Sequence, residues 1–273
     1  MKASNLVQRI FTVVAGIFAL VCIIFLLPQH NFIGFSIFVF AVSLAGSFEM
    51  SAILFCKTTV LAILSPVMIA FEYFTGSCQA YFYVLVITAL TIEIFQGQKS
   101  GFDRSIENLS KNILLIVYPS YLTSYMIKFL CFERTNAYII LFYLLLVFSN
   151  DIFAYVAGML WGKSNAGIFK ASPKKSIAGF IGGFAGCTGI CFLYTYFFKF
   201  CLPSMSVLQK TVLALLMSIL SNLGDLAESV IKRCAGVKDS GKIIPGRGGI
   251  LDCIDSIVST IPFFCFVFRK VLS

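Results

Sequence analysis

Three aspartates, Asp225, Asp252 and Asp255, carry the most consequential pattern in the sequence. Ser218, Asn222, Asp225, Ser229 and Lys232 recur at helical spacing, so they share one face of an otherwise apolar helix, with Glu228 beside it. Asp252, Asp255, Ser256 and Ser259 repeat the arrangement at the start of the next apolar run. Two carboxylate-bearing faces on consecutive helices suit a hard divalent cation. Mg2+ takes oxygen ligands and commonly uses one or two carboxylates plus substrate phosphates. Polar residues also join helices by hydrogen bonds inside membranes. Serines alone would serve that purpose; three aspartates do not. A charge within a membrane costs about 2.5–3.5 kcal/mol on insertion scales, which makes function the default reading of such a residue.

The segment between the two stripes is basic and rich in glycine. It contains Lys232, Arg233, Lys238, Lys242 and Arg247, together with Asp239, Pro245, Gly246, Gly248 and Gly249. Glycines let backbone N–H groups approach an anion, and Lys and Arg neutralise it. A second such segment, Lys170 to Gly183, includes Ser172-Pro173-Lys174-Lys175-Ser176 followed by Gly179, Gly182 and Gly183. It opens an apolar run whose helix N-terminus is expected to be an anion site. It is not a nucleotide-binding loop of the Gly-x-x-x-x-Gly-Lys kind, because its glycines follow its lysines. A third polar point is Asn150-Asp151, with Tyr155 one turn on and Gly162-Lys163 beyond.

These residues must be positioned by membrane helices. Of the 273 residues, 59% are hydrophobic and 12% charged, and mean hydropathy is +0.94; soluble domains carry roughly 45–50% apolar and about 25% charged residues. The composition excludes a soluble enzyme, a disordered chain and a nucleic-acid-binding module. Apolar runs at 10–27, 32–55, 59–74, 78–95, 113–132, 136–161, 177–201, 211–231 and 251–268 predict an all-α, polytopic integral membrane protein with about nine transmembrane helices. About four fall in an N-terminal region, 1–112, and about five in a catalytic region, 113–273. With nine crossings, one side of the membrane holds Lys128, Arg134, Lys199, Lys210, Arg269 and Lys270, and the N-terminal side holds the rest of the 21 Lys and Arg. The positive-inside rule then puts the N-terminus and the basic loops in the cytoplasm. The net charge of +9 points to anionic lipid or anionic substrates, not nucleic acid. The ten Cys read as small apolar filler. The one histidine, His30, falls in the first outer loop. Glu49, Glu72 and Glu93 are read as interfacial carboxylates, and 96–112 as a solvated connector.

From Ser229 to Ser256 the sequence resembles the signature of the phosphatidate cytidylyltransferase family, also called CDP-diacylglycerol synthases. The stretch runs through Lys232-Arg233, Lys238-Asp239, Pro245-Gly246-Arg247-Gly248-Gly249, Asp252-Cys253 and Asp255. Gly224-Asp225…Glu228, the Ser172–Gly183 segment and Asn150-Asp151…Tyr155…Gly162-Lys163 match as well, so the resemblance covers about 145 to 268. Three positions depart from the pattern. Arg247 stands where the family usually has His, Cys253 where it has Arg, and Ala178 where it has Glu or Gln.

The resemblance implies a dimeric membrane enzyme of the cell (inner) membrane. It would use Mg2+, with a second cation in some arrangements, to join CTP and phosphatidate into CDP-diacylglycerol with release of pyrophosphate. Asp225, Asp252 and Asp255 are expected as metal ligands and, together with Lys232, as catalytic residues. Lys175, Ser176, Arg233, Lys238, Asn150 and Asp151 are expected to bind substrate. Gly248 and Gly249 would shape the loop, and Asp239 would bind a second cation or orient a lysine. Two other readings of the same residues are a CTP-dependent lipid kinase of the same superfamily and a transporter. A transporter predicts polar residues at all membrane depths, whereas here they gather toward one end of the spans.

Overall fold

The computed structural model describes residues 19–25, 29–130, 137–199, 202, 204–244 and 248–272. Among them no β-strand forms, and two isolated antiparallel bridges, Ala166–Ser176 and Ile244–Gly248, stand alone. The helices are α1 (19–25), α2 (Gln29–Phe55), α3 (Val60–Leu64), α4 (Val67–Thr75), α5 (Gln79–Ser100), α6 (Ser105–Ile116), α7 (Leu122–Leu130), α8 (Ala137–Trp161), α9 (Ile177–Phe197), α10 (Val207–Cys234) and α11 (Leu251–Leu272). Six of them, α2, α5, α8, α9, α10 and α11, are long and apolar enough to cross a membrane. The chain is therefore an all-α, polytopic membrane protein.

Not every apolar run becomes one long helix. The run 59–74 breaks at Ser65-Pro66 into α3 and α4, because proline has no N–H to continue the ladder. The run 113–132 is divided between α6 and α7 by a π-helical turn, Val117–Tyr121, that contains Pro119. The connector expected at 96–112 is mostly helical, since α5 continues to Ser100 and α6 begins at Ser105. His30 lies in the first turn of α2 and not in a loop. The run 10–27 falls largely outside the described residues, as do Lys2, Arg9, Arg134 and Arg247.

The chain forms two compact units. The first contains residues 1–131 and returns to include 239–253. Its interior is held by hydroxyls as well as apolar packing. Ser43 donates to the Pro119 carbonyl at 2.8 Å, and Ser120 lies 3.0–3.1 Å from Ser43, Ser47 and Ser65. Within apolar helices such a closed set satisfies the backbone freed by the π turn and fixes helix register. Glu49, Glu72 and Glu93 are buried within the protein. Glu72 accepts the Cys78 N–H at 2.8 Å, and Glu93 accepts from Asn108 at 3.3 Å, tying α5 to α6. Burial pushes the Cys78 thiol up to about 11, so it stays protonated and behaves as apolar filler.

The second unit comprises residues 132–238 and 254–273. Here α8 and α9 pack closely because α9 presents small residues. A Cβ on Gly182 would strike Ala157 and the Phe153 carbonyl, and one on Gly183 would strike Asn150. Gly179 and Gly183, like Gly182 and Gly186, stand four residues apart and let the two membrane helices approach closely. Toward the other end, Phe142 stacks on Tyr194 at 5.2 Å and lies 6.2 Å from Phe264, while Tyr143 donates to the Ile257 carbonyl.

Candidate active site

In the second unit the polar stripe of α10 meets three other segments. Asn150 is 1% exposed. Its amide donates to Ser221 Oγ at 3.0 Å, and its Oδ1 accepts from Ser218 Oγ at 2.6 Å. Asp151, on the next residue of α8, is exposed. Its Oδ1 accepts from Ser221 Oγ at 3.1 Å and Ser256 Oγ at 3.3 Å. These bonds draw α8, α10 and α11 together through Asn150, Asp151, Ser218, Ser221 and Ser256. Gly224 makes the approach possible, since a Cβ there would strike Ser259 and the Asp255 carbonyl.

One turn along α10, Lys175 reaches Asp225. Lys175 Nζ lies 2.8 Å from Asp225 Oδ2 and also donates to the Asn222 carbonyl at 3.2 Å. The lysine side chain is 16% exposed and the aspartate 42%, so the pair has a covered cation and an open carboxylate. Ser229 Oγ is 3.4 Å from the other oxygen of Asp225. Asp255 is buried and accepts the N–H of Ser256 at 2.7 Å. Lys232 pairs with buried Glu228 at 2.8 Å. Arg233 is exposed and ties the preceding loop, donating to the carbonyls of Ala171 and Val237.

The segment before α9 is built differently from its sequence expectation. The sequence predicts an anion site at this helix N-terminus. Instead Ile177 N donates to the Asn165 carbonyl, Ala178 N to Asn165 Oδ1, and Gly179 N to Ser176 Oγ at 3.1 Å. The first orphan donors of the helix are thus capped from within the chain. Ser176 is the N-cap, and its neighbour Lys175 is the residue that reaches into the site.

In the first unit, Asp252 organises the glycine-rich loop. Its Oδ2 accepts from Ser240 N at 2.8 Å, Ser240 Oγ at 2.9 Å and Gly249 N at 2.8 Å. Gly248 has φ +109, a conformation glycine adopts without steric cost, and a Cβ there would meet Asp252 and Asp239. Asp239 and Lys238 are exposed at the loop's start. Cys253 and Ala178 are both half-buried, Ala178 on the first turn of α9. Among the described residues no group of three or more His, Cys, Asp or Glu is gathered for a metal.

Sequence reasoning missed Glu49, Ser240 and Ser221. Ser221 had a signal, its place three residues after Ser218 on the same helix face. Ser240 is embedded in the recognisable loop but has no spacing pattern of its own. Glu49 is 191 residues from Ser240 in the chain and carries no local sign of its partners.

The chain is 38% identical over 136 residues to a phosphatidate cytidylyltransferase of Haemophilus influenzae, covering 50% of this chain and 47% of that protein. It is 35% identical over 160 residues to one of Thermotoga maritima, covering 58% of each. With one of Staphylococcus haemolyticus it shares 40% over 139 residues, 50% of this chain and 52% of the relative. The matched part thus spans about half the length of these curated relatives. The sequence model of the cytidylyltransferase family matches residues 7–271, nearly the whole chain, and the protein belongs to that family.

Proposed function

We propose that the protein transfers the cytidylyl group of CTP to phosphatidate, giving CDP-diacylglycerol and pyrophosphate. The observation that carries this reading is the pair between Lys175, in the loop before α9, and Asp225 on α10, in a chain similar to proteins named phosphatidate cytidylyltransferase. A phosphate-monoester oxygen of the lipid attacks the α-phosphorus of CTP. The bond from that phosphorus to the bridging oxygen of the β-phosphate breaks, and pyrophosphate departs in line with the attack. The nucleophile is already an anion, so no histidine base is required. The protein's task is positioning and charge stabilisation.

Lys175, Lys232, Arg233 and Lys238 hold phosphates in this reading, and Asn150 and Asp151 form the polar wall between α8 and α10. Asp225 and Asp255 would hold Mg2+. Their oxygen donors and the open carboxylate of Asp225 fit a hard cation that completes its shell with substrate phosphates. Asp252 joins the proposed set on its spacing of three residues from Asp255, and Asp239 would serve a second cation. When bound, the metal neutralises charge on the transferring phosphoryl group. The protein is proposed to act as a homodimer in the inner membrane, with the basic loops and the site toward the cytoplasm. A coupled pyrophosphate assay tests the reading. Release should require both CTP and phosphatidate, and release that ignores phosphatidate would contradict it.

A further inference from the structure

Glu49 lies on α2, far in sequence from every motif, yet it is 6% exposed and holds the start of α11. Its Oε1 accepts the Ile250 N–H at 2.9 Å, and its Oε2 accepts the Leu251 N–H at 3.0 Å. Ser240 Oγ stands 2.9 Å from Glu49 Oε2 and 2.9 Å from Asp252 Oδ2. The hydroxyl has one proton for two carboxylate oxygens, so it couples the two acids directly. Ser240 Oγ in turn accepts the Asp252 N–H at 3.3 Å. A Cβ on Gly249 would strike Ser240 and the Glu49 carboxylate, which accounts for a glycine at that position.

We propose that Glu49 is a positioning residue for the reaction. It caps α11 from another helix and, through Ser240, fixes the carboxylate of Asp252 and the glycine loop it orders. This rests on the reading of Asp252 as part of the catalytic apparatus. Glu49 supplies what the sequence of α11 lacks. No Ser, Thr, Asp or Asn stands immediately before Leu251, so the first donors of the helix need an acceptor from elsewhere. A carboxylate there also complements the positive end of the helix dipole. A glutamine in its place keeps the size but turns an N–H2 group toward donors, which moves the loop without emptying the space.

The test uses the full chain in detergent, with wild type measured alongside Glu49→Gln, Glu49→Asp and Ser240→Ala. For Glu49→Gln, kcat should fall about tenfold to a hundredfold, the scale of a small misplacement of a catalytic group, with KM for CTP and phosphatidate little changed. Glu49→Asp, which keeps the charge, should recover part of the loss, and Ser240→Ala should fall in the same direction by less. Tryptic cleavage at exposed Lys242 should quicken in Glu49→Gln. Wild-type kcat in Glu49→Gln overturns the proposal, as does a loss that follows thermal stability alone. If Glu49→Gln does not fold, Ser240→Ala decides: reduced kcat supports the coupling and unchanged kcat overturns it. If wild type itself makes no CDP-diacylglycerol, the functional reading fails instead. The cleavage rate at Lys242 then still tests the tie, and an unchanged rate overturns it.

Discussion

Lys175 Nζ lies 2.8 Å from Asp225 Oδ2, joining the loop before α9 to the middle of α10. The ammonium is mostly covered, and the carboxylate is open on one side. A lysine held this way carries a fixed positive charge at the edge of a carboxylate that faces outward. Lys175→Met should lower kcat about a hundredfold, the usual effect of removing one group that stabilises transition-state charge. Lys175→Arg should not restore it, because the larger guanidinium cannot occupy the same covered position and reach Asn222 as well. Steady-state kinetics of the two variants check this, and full activity in Lys175→Met would remove Lys175 from the mechanism.

Asp252→Asn keeps an oxygen that can accept the Ser240 and Gly249 N–H groups but removes the charge. The protein should therefore express and fold near normally while turnover is abolished. Wild-type turnover at saturating Mg2+ would show that Asp252 only shapes its loop.

Gly224→Ala places a methyl against Ser259 and the Asp255 carbonyl. Overpacking of this kind costs about 1–3 kcal/mol, so the thermal midpoint in detergent should fall. Activity should fall with it, because the same helix contact carries Asp225 and Asp255. An unchanged midpoint would mean that α10 and α11 are less closely packed there than the structure has them.

If the proposed activity is right, the departures at Arg247 and Cys253 should leave it intact. Phosphoryl-type transfer relies on positioning and fixed charge more than on a proton shuttle, and Arg247 keeps a positive charge at that position of the sequence. Arg247→His with Cys253→Arg should change kcat by about tenfold or less, equivalent to about 1.4 kcal/mol. A protein that gains activity only in this double reversion would be a decayed member of its family.

The excess of Lys and Arg on the N-terminal side of the apolar runs predicts a cytoplasmic N-terminus and an external Ser273. Reporter fusions at Ser273 check the count, and a cytoplasmic signal there would mean an even number of crossings.

What the sequence disclosed follows from the range of the interactions concerned. The stripe Ser218-Asn222-Asp225-Ser229 was legible because helical periodicity places residues on a face before any tertiary contact forms. The structure puts that face to use, with Ser218 on Asn150 and Asp225 on Lys175. Helix ends were less legible. Asn165 and Ser176 cap α9 and close what looked like an open anion site, through a loop whose course only folding reveals. The single helix expected at 59–74 is broken at Pro66, and a long apolar run conceals such a break. Glu49 was illegible because its carboxylate serves donors about 200 residues away, and a glutamate near a helix end reads as interfacial until its partners are seen.

The position of the label transferred from CTP tests the central claim most directly. Purified protein in detergent, given Mg2+ and phosphatidate, should move radiolabel from the α-phosphate of CTP into the lipid fraction and leave γ-label in pyrophosphate. That result makes the protein a cytidylyltransferase acting on phosphatidate. Transfer of γ-label to a lipid acceptor, with α-label retained in the nucleotide, would make it a kinase and contradict the account.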